Sequence, residues 1–477
     1  MPKNKSKIRF ESDTLGTRRV PSSAYWGIQT MRAIENFPIS GIKPTKGIIL
    51  ATAFVKKAAC LANLSLKLID KKRGNAIIRA VDEILSGRLR DQFVVDVYQA
   101  GAGTSHNMNA NEVIANRAIE LIGGKKGDYR VIHPNDHVNM SQSTNDTMPT
   151  ALRLAAFASS GRLISALTGL ETTLRAKSSE FKGVIKSGRT HLQDAVPITL
   201  GQEFGSWAAV IKSSMENINL SARGLKRIGL GGTAIGTGLN THPRFKRIVV
   251  RELSKVSGIK GLKIAPNSFE AINSAGDFTA YSSAMRGASI ELIHIANDLR
   301  LLSSGPRTGL SEITLPAMQP GSSIMPGKVN PVMAEMLGMV CFQVIGNDLA
   351  AALAAQAGQL ELNVMLPLIV YNILQSSEIL TNAVTVFNAK CVSGIKADTK
   401  RCRAYFENSI GIATILNRVI GYENAAKAAK DAVSSGKSLR EIIVEKGLLS
   451  RRELDNILSP VAVTKPSNPK RASKRRR

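Results

Sequence analysis

The stretch Gly321-Ser-Ser-Ile-Met-Pro-Gly-Lys-Val-Asn-Pro331 combines two hydroxyls, a lysine and an amide in one short segment. Its glycines permit backbone geometry that other residues disfavour, and its prolines cannot extend the interior of a helix. The composition therefore predicts a mobile loop that carries polar groups. Such a loop is suited to close over an anionic substrate, with Lys328 supplying positive charge and Asn330 a hydrogen bond.

Three other segments are dense in Ser, Thr, Asn and His and poor in apolar residues. They lie far apart in the sequence, at 101–112, 133–146 and 188–197. Each adjoins a tract with helical periodicity, and polar groups beside the beginning of a helix bind carboxylates because free N–H groups and the helix dipole favour anions. For one such segment alone, ordinary helix capping is the better explanation.

Taken together, the four segments resemble the conserved regions of the fumarase/aspartase superfamily, and the resemblance extends over residues 8–460. Enzymes of that family eliminate water or an amine from succinyl-type compounds to give fumarate. The resemblance implies a mainly α, three-domain subunit with a long central helical bundle. It also implies a homotetramer in which each active site is assembled from three chains.

The resemblance implies roles for particular residues. Ser322 is the implied base, and His191 the active-site histidine that pairs with Glu335, just beyond the loop. The implied substrate-binding residues are Thr104, Ser143, Thr144, Asn145, Thr190, Ser323, Lys328 and Asn330. Asn145, Thr190 and His191 are the positions expected to contact a departing amino group. From the residues alone, a lone histidine is more often structural, and nothing separates Ser322 from Ser323.

The implied chemistry sets physical requirements on these groups. Removing a proton next to a carboxylate creates a doubly charged enediolate, which needs a positioned base and donors aimed at the developing charge. Serine is a weak base unless its alkoxide is stabilised. Cationic or backbone donors are therefore expected close to Ser322.

The residues of these segments favour the aspartase branch of the family. Gly101-Ala-Gly-Thr-Ser105, Ser143-Thr-Asn145 and Asp194-Ala-Val-Pro197 are each similar to aspartases, whereas Leu366 and Arg418 depart from the usual residues. The implied reaction is anti-elimination of ammonia from L-aspartate, through an enediolate (aci-carboxylate), to give fumarate. A class II fumarate hydratase acting on malate is the alternative enzyme. A non-enzymatic polyanion-binding protein on the same fold is a further alternative.

The chain is strongly basic, with 64 Lys and Arg against 36 Asp and Glu in 477 residues and a net charge of +28. Residues 1–10 and 461–477 carry four and seven basic side chains and no acidic one, which leaves +17 on the remainder. No nucleic-acid-binding motif accompanies the charge. We therefore predict a solvated basic surface and a basic disordered tail at 461–477, with polyanion binding as the alternative.

Four long tracts lack proline, at 150–196, 198–242, 267–305 and 368–459. Apolar residues recur in them at intervals of three and four, which predicts long helices, and small residues in the apolar stripes favour a close-packed bundle. The alanine-rich run at 350–357 is expected to continue through Leu368 with a kink at Pro367. Short strands are expected at 130–132 and 184–186.

The polar clusters suggest the domain boundaries. We predict an N-terminal mixed domain at 1–143, a central long-helix bundle domain at 144–398 and a small C-terminal helical domain at 399–460, followed by the tail.

No cofactor is predicted to be required. The four cysteines form no C-x-x-C pair and the six histidines show no metal-ligand spacing, so no metal site is expected. Gly229–Ala234 fits the pattern G-x-G-x-x-A, but it follows a helical tract and not a strand, so dinucleotide binding is not assigned. No apolar run reaches the roughly 18 residues of a membrane span, and no signal-peptide core begins the chain, so a cytoplasmic location is expected.

Overall fold

Helix is the main regular structure of the chain, as the proline-free tracts predict. The computed structural model describes residues 7–466. Its helices are α1 Ile28–Asn36, α2 Lys46–Ser65, α3 Lys71–Ser86, α4 Thr104–Leu121, α5 Thr144–Glu180, α6 Leu200–Ala222, α7 Phe245–Ser257, α8 Ser268–Asn273, α9 Gly276–Leu302, α10 Val332–Gln356, α11 Leu366–Lys390, α12 Thr399–Asn408, α13 Ala413–Ile420, α14 Tyr422–Ser435, α15 Leu439–Glu445, α16 Arg451–Ile457 and α17 Pro460–Val463.

The strands are short and pair two by two. They are β1 Ile8–Asp13, β2 Gly16–Pro21, β3 Ile185–Thr190, β4 Gln193–Thr199, β5 Arg227–Ile228, β6 Lys263–Ile264, β7 Ile313–Thr314 and β8 Lys396–Ala397. Strands β1 and β2 form one antiparallel hairpin and β3 and β4 another, whereas β5 pairs with β6 in parallel and β7 with β8 antiparallel. The predicted strand at 184–186 corresponds to the beginning of β3.

Spatial packing divides the chain into two compact units. Of the described residues, the first unit takes in 7–165, Glu216–Ser289 and Cys341–Thr381, and the second takes in Ala166–Met215, Ile290–Val340 and 382–466. Helices α5, α6, α9, α10 and α11 each contribute residues to both units. The predicted inner domain boundaries coincide with the first residues of α5 and α12, but the division into three domains stays a prediction.

The first unit has a continuous apolar core between α2, α3 and α4. Ile77, Val81 and Ile84 of α3 recur on one face and are fully buried, together with Val113 and Ile114 of α4. Burying a side chain of this size stabilises the fold by about 1.5–3 kcal/mol. Helix α4 begins at Thr104, so this core fixes the position of one predicted substrate-binding residue.

The long helices of the first unit contact one another directly. Arg153 Nη1 in α5 donates to Asp277 Oδ2 in α9 at 2.5 Å, and Tyr281 in α9 shares a hydrogen bond of 3.2 Å with Ser377 in α11. The predicted bundle of long helices is therefore confirmed within this unit.

Packing in the second unit continues beyond residue 460, where the last folded domain was predicted to end. Val463 packs against the apolar cluster formed by α12 to α16, and the carbonyl of Thr464 accepts a hydrogen bond from Gln202 Nε2 at 3.0 Å. The prediction therefore placed the beginning of the disordered tail too early, at residue 461, because Val463 still packs against an apolar core. Residues 467–477 lie outside the described part of the chain.

Two local predictions are wrong. Residues 130–132 form a turn, closed by a hydrogen bond from Val131 N to Asp128 O at 3.0 Å, and not a strand. Pro367 does not kink a continuous helix, since α10 and α11 are separate. Pro367 instead lies in the first turn of α11, where a missing N–H costs nothing because it would have no partner inside the helix.

Two described helices, α2 and α10, have the length and apolar composition of a membrane span. The prediction counted uninterrupted apolar runs, whereas these helices reach the same mean hydropathy with polar residues interspersed. Helix α2 is mostly buried in the first unit, as expected of a core helix, but only 33% of the apolar window in α10 is buried. Its exposed apolar side chains, called here the α10 surface, are Met339, Phe342, Leu349 and Leu353.

Candidate active site

The loop at 321–331 is closed at its base by its own backbone. Gly321 N donates to the carbonyl of Lys328 at 2.8 Å, and Asn330 Nδ2 donates to the carbonyl of Gly321 at 2.8 Å. A Cβ at position 321 would lie 2.6 Å from the Lys328 carbonyl oxygen, so only glycine fits this crossing. The loop therefore leaves and re-enters the fold at one point and presents the residues between as a unit.

Ser322 occupies a distinctive position within this loop. Its Oγ accepts hydrogen bonds from two backbone N–H groups, those of Ile324 at 3.2 Å and Met325 at 3.0 Å. Backbone donors aimed at an oxygen stabilise its charged form. The geometry thus supplies the donors that a serine alkoxide requires, and it supplies them at Ser322 and not at Ser323.

Two other polar side chains of the loop face solvent. Ser323 and Lys328 are exposed, and so are the apolar side chains of Ile324, Met325 and Val329. Lys328 forms no ion pair with any described residue. The positive charge of Lys328 is therefore exposed beside apolar groups and is not neutralised by any described residue.

Thr190 and His191 lie at the tip of the β3–β4 hairpin. His191 and Leu192 connect the two strands with φ angles of 57° and 59°, the left-handed pair that defines a tight type I′ turn. Both are exposed, and His191 makes no hydrogen bond or ion pair with another described residue. The hairpin therefore projects the imidazole away from its own strands.

A buried ionic cluster anchors the hairpin from below. Glu312 has no exposed surface and pairs with Lys186 at 2.8 Å and Arg189 at 2.9 Å, both on β3. Lys186 also pairs with Glu203 at 2.9 Å, and burial raises the pKa of Glu203. Since Arg189 directly precedes Thr190, the cluster fixes the strand that carries the two predicted site residues.

Glu335 lies in the first turn of α10, immediately after the loop. Its backbone N–H donates to Pro331 O at 3.2 Å, and its side chain is half-buried. Within one chain, His191 and Glu335 do not form an ion pair. The predicted pairing of these two residues therefore stays a prediction.

The remaining predicted residues lie in the first unit, at the beginnings of α4 and α5. Thr104 Oγ1 donates to the carbonyl of Gly101 at 3.2 Å. Ser143 Oγ accepts from Asn145 N at 3.2 Å, and Thr144 Oγ1 accepts from Asn107 Nδ2 at 3.0 Å. The capping role that the residues alone suggested for Ser143 is therefore present in the structure.

Asn145 is oriented by a segment distant in sequence. Its Nδ2 donates to the carbonyl of Ala234 at 2.7 Å. Ala234 ends the glycine-rich stretch Gly229–Ala234, for which dinucleotide binding was not assigned. That stretch instead contacts the predicted substrate-binding residues.

Asp146 is a residue that the sequence reasoning left without a role. It is fully buried and accepts hydrogen bonds from the backbone N–H groups of Ser143, Gly231 and Thr233, each at 2.9 Å. Burial raises the pKa of Asp146 to about 6, with these donors and Lys56 acting against the rise. The signal that could have found it is Ser143-x-x-Asp146, a capping-box spacing at the beginning of α5.

Lys56 is a buried cation whose charge interacts with that of Asp146. Its Nζ donates to Asn139 Oδ1 at 2.8 Å and Gln142 Oε1 at 3.1 Å. Burial lowers the pKa of Lys56 to about 7, and the charge of Asp146 opposes the shift. No sequence signal marked Lys56, because it lies within the apolar helix α2.

No group of three or more His, Cys, Asp or Glu side chains that could hold a metal ion occurs within residues 7–466. The four cysteines are buried and unpaired, and burial raises the pKa of each thiol to about 12. These thiols are therefore unsuited to act as nucleophiles or metal ligands.

Two parts of this chain match models of known protein families. A model described as Lyase matches residues 16–346, and one described as Fumarase C C-terminus matches residues 412–465. The chain belongs to the fumarase/aspartase family of lyases. The predicted family membership is confirmed, and with it the mainly α fold of this type.

Individual members of the family are similar over nearly the whole length of this lyase. An aspartate ammonia-lyase from Bacillus sp. is 50% identical over 459 residues, which is 96% of this chain and 98% of that protein. A crystal structure of a fumarate lyase:delta crystallin from Brucella melitensis bound to cobalt is 51% identical, with a TM-score of 0.94 over 96% of this chain and 100% of that one.

A fumarase provides the second point of comparison. The class II fumarase from Schistosoma mansoni is 37% identical to this lyase, with a TM-score of 0.92 over 97% of this chain and 100% of that one. The fold is therefore common to both branches of the family, whereas sequence identity is higher with the ammonia-lyase. The roles of the individual site residues stay predictions.

Proposed function

We propose that this lyase is an aspartate ammonia-lyase, which converts L-aspartate to fumarate and ammonium in a reversible reaction. Identity of about half over nearly full length with a protein of that name supports the assignment. The observation that carries the chemistry is the pair of backbone N–H groups on Ser322 Oγ. They place a stabilised oxygen on the one loop that also bears a free lysine and an amide.

In the proposed reaction, Ser322 as an alkoxide removes a proton from C3 of the substrate. The electron pair of the C–H bond passes into the adjacent carboxylate, which becomes the enediolate. The pair then returns to form the C2–C3 double bond while the C2–N bond breaks, and ammonia leaves with the electrons of that bond. The proton left on Ser322 passes, directly or through solvent, to ammonia, which gives ammonium and restores the alkoxide. Donors of Thr104, Ser143, Thr144 and Ser323 stabilise the enediolate in this proposal, and Thr104 gives up its hydrogen bond to the Gly101 carbonyl to do so.

Lys328 and Asn330 bind the other carboxylate in this proposal. Lys328 has no anionic partner in the described chain, so binding a carboxylate does not require an existing ion pair to break. Asn145, Thr190 and His191 contact the amino group, and Glu335 pairs with His191. No metal or organic cofactor takes part in the proposed steps. The cytoplasmic location and the binding of polyanions remain predictions.

The first expected result is substrate preference. The purified protein should form fumarate from L-aspartate, followed by ultraviolet absorbance, and none above background from L-malate. We expect this preference because the residues at Ser143–Asn145 and in the other segments resemble those of aspartases. Preferential turnover of malate would support the fumarate hydratase alternative, and a folded protein active on neither substrate would support the polyanion-binding alternative.

We further propose that the active form is a homotetramer with shared sites. The α10 surface exposes four large apolar side chains along one helix, and such a surface is typical of subunit contacts. At the hairpin tip the imidazole of His191, and on the loop the ammonium of Lys328, have no ion-pair partner among residues 7–466. Association of several copies would cover the α10 surface and bring these groups to a common substrate.

Subunit complementation tests the shared site. His191→Ala and Ser322→Ala protein, each inactive alone, should recover activity when refolded together, since a mixed assembly can join an intact hairpin to an intact loop from another chain. An equal random mixture should restore about one quarter of the sites. Activity of the mixture relative to the unsubstituted protein is the measurement.

The matched control is a mixture of Ser322→Ala with Lys328→Ala. Both residues lie on the same loop, so no site can receive both intact, and the activity of the mixture should not exceed the sum of the activities of the two variants refolded alone. Failure of the first mixture to recover, with subunit exchange demonstrated by mass spectrometry, would contradict a site that takes hairpin and loop from different chains.

A further inference from the structure

The glycine-rich segment that follows α6 and β5 folds into a compact turn, called here the 229–238 turn. Its backbone is closed by hydrogen bonds from Gly232 N to Gly229 O at 3.0 Å and from Gly236 N and Gly238 N to Gly232 O at 3.0 Å and 2.9 Å. Thr233 lies in it with φ of 56°. A β-branched residue in this conformation is strained and persists only where its surroundings enforce it.

The carboxylate of Asp146 enforces this conformation. One oxygen, Oδ2, accepts from both Gly231 N and Thr233 N, while the other, Oδ1, accepts from Ser143 N, each at 2.9 Å. Asp146 therefore joins the beginning of α5 to a turn more than 80 residues away. Charge-assisted bonds of this kind are about twice as strong as neutral ones.

The position of the 229–238 turn determines how the side chain of Asn145 is oriented. The carbonyl of Ala234 can only accept a hydrogen bond, so the side chain of Asn145 must direct its NH₂ group to it. Its Oδ1 then points away from the turn, and this oxygen accepts no hydrogen bond from the described residues. An outward amide oxygen is an acceptor, which suits an ammonium or amino group and not a carboxylate.

We propose that Asp146 is a positioning residue for recognition of the amino group. By holding the 229–238 turn against the beginning of α5, it fixes the Ala234 carbonyl, which in turn presents Asn145 Oδ1 to the substrate nitrogen. This inference rests on the proposed ammonia-lyase function. It gives the glycine-rich segment a role in selecting an amine over a hydroxyl leaving group.

The test is Asp146→Asn in the full-length protein, assayed both for deamination of L-aspartate and for amination of fumarate. An asparagine cannot accept from all three N–H groups, since its NH₂ group must face either Ser143 or the turn. We expect kcat/KM for L-aspartate to fall about 10²-fold, the loss typical of a misplacement of about 1 Å. The KM for ammonium should rise by a larger factor than the KM for fumarate.

Glu112→Gln is the matched control. Glu112 is also buried and its carboxylate accepts from the backbone N–H groups of Gly27, Gln29 and Thr30, at 2.8, 2.8 and 3.0 Å, but it contacts none of the predicted site residues. This variant should lower Tm and leave both KM values unchanged. An Asp146→Asn protein that likewise lost only thermal stability would overturn the proposal.

Gly231→Ala provides a second variant that keeps Asp146. A Cβ at this position would lie 3.0 Å from Cα and Cβ of Lys246, and φ is 92°, so the turn must shift. The same selective rise in the KM for ammonium is expected, and an unchanged value would overturn the proposal even if Asp146→Asn did not fold.

Amide hydrogen exchange separates this inference from the proposed function. In Asp146→Asn the amides of Ser143, Gly231 and Thr233 should exchange faster than in Glu112→Gln, whether or not the protein is active. Unchanged exchange at these amides would show that Asp146 does not hold the turn. An unsubstituted protein inactive with L-aspartate would instead refute the proposed function.

Discussion

Replacing Ser322 with alanine is expected to lower kcat for L-aspartate by at least about 10²-fold, the lower range for loss of a general base. The substitution removes a side-chain oxygen that accepts two backbone N–H groups within the loop, and the partly exposed side chain can be lost without leaving a cavity. Steady-state kinetics, with circular dichroism to verify the fold, is the measurement. Exchange of the C3 proton of L-aspartate with solvent should be lost in parallel.

Ser323→Ala is the matched control for this result. Ser323 is adjacent in sequence and exposed, and its proposed role is to donate a hydrogen bond and not to remove a proton. Its loss should therefore reduce kcat by a smaller factor. A larger loss for Ser323→Ala than for Ser322→Ala would transfer the role of base to Ser323.

The second large effect is expected for Lys328→Ala. A charge-assisted hydrogen bond contributes about 1.5–3 kcal/mol, so KM for L-aspartate should rise at least about tenfold, and the Kd for an unreactive dicarboxylate such as succinate should rise with it. Thermal stability should not change, because Lys328 is exposed and forms no ion pair in the described chain. Titration calorimetry with succinate measures the binding separately from the chemistry.

Two further variants define the role of Lys328. Lys328→Arg keeps the charge and should recover part of the affinity. Lys255→Ala removes an exposed cation of α7 that pairs with Glu252 at 3.2 Å, and it should leave succinate binding unchanged. Equal losses in Lys255→Ala and Lys328→Ala would show that total charge, and not a contact at Lys328, controls the affinity.

The sequence was sufficient for the features that local chemistry determines. The loop at 321–331 could be recognised because its glycines, prolines and polar groups are contiguous, and the long helices because their apolar periodicity is local. The choice of Ser322 over Ser323 needed the family resemblance. The structure adds a physical reason for it, since only Ser322 Oγ accepts the backbone donors.

The features that were missed depend on contacts distant in sequence. Asp146 and Gly231 are 85 positions apart, and neither residue indicates the other. The pattern Gly229–Ala234 was compared with nucleotide-binding turns because only its own residues were available to interpret. The β1–β2 hairpin was also missed, because its strands are short and mostly exposed and show little alternation of burial.

The buried carboxylates have a consequence for the charge that the molecule presents to small ions. Among residues 7–466, six acidic side chains are buried but only three basic ones; the acidic group is Glu11, Asp96, Glu112, Asp146, Glu312 and Asp348, and the basic group Lys56, Arg153 and Lys186. The exposed side chains of these residues are thus more positive, by three charges, than the residues are in total, and they give the surface a positive local field. Such a field accelerates the encounter with anions, and salt screens it. Fumarate, a dianion, gains more from this attraction than L-aspartate with its single net charge, so ionic strength acts most strongly on the amination direction.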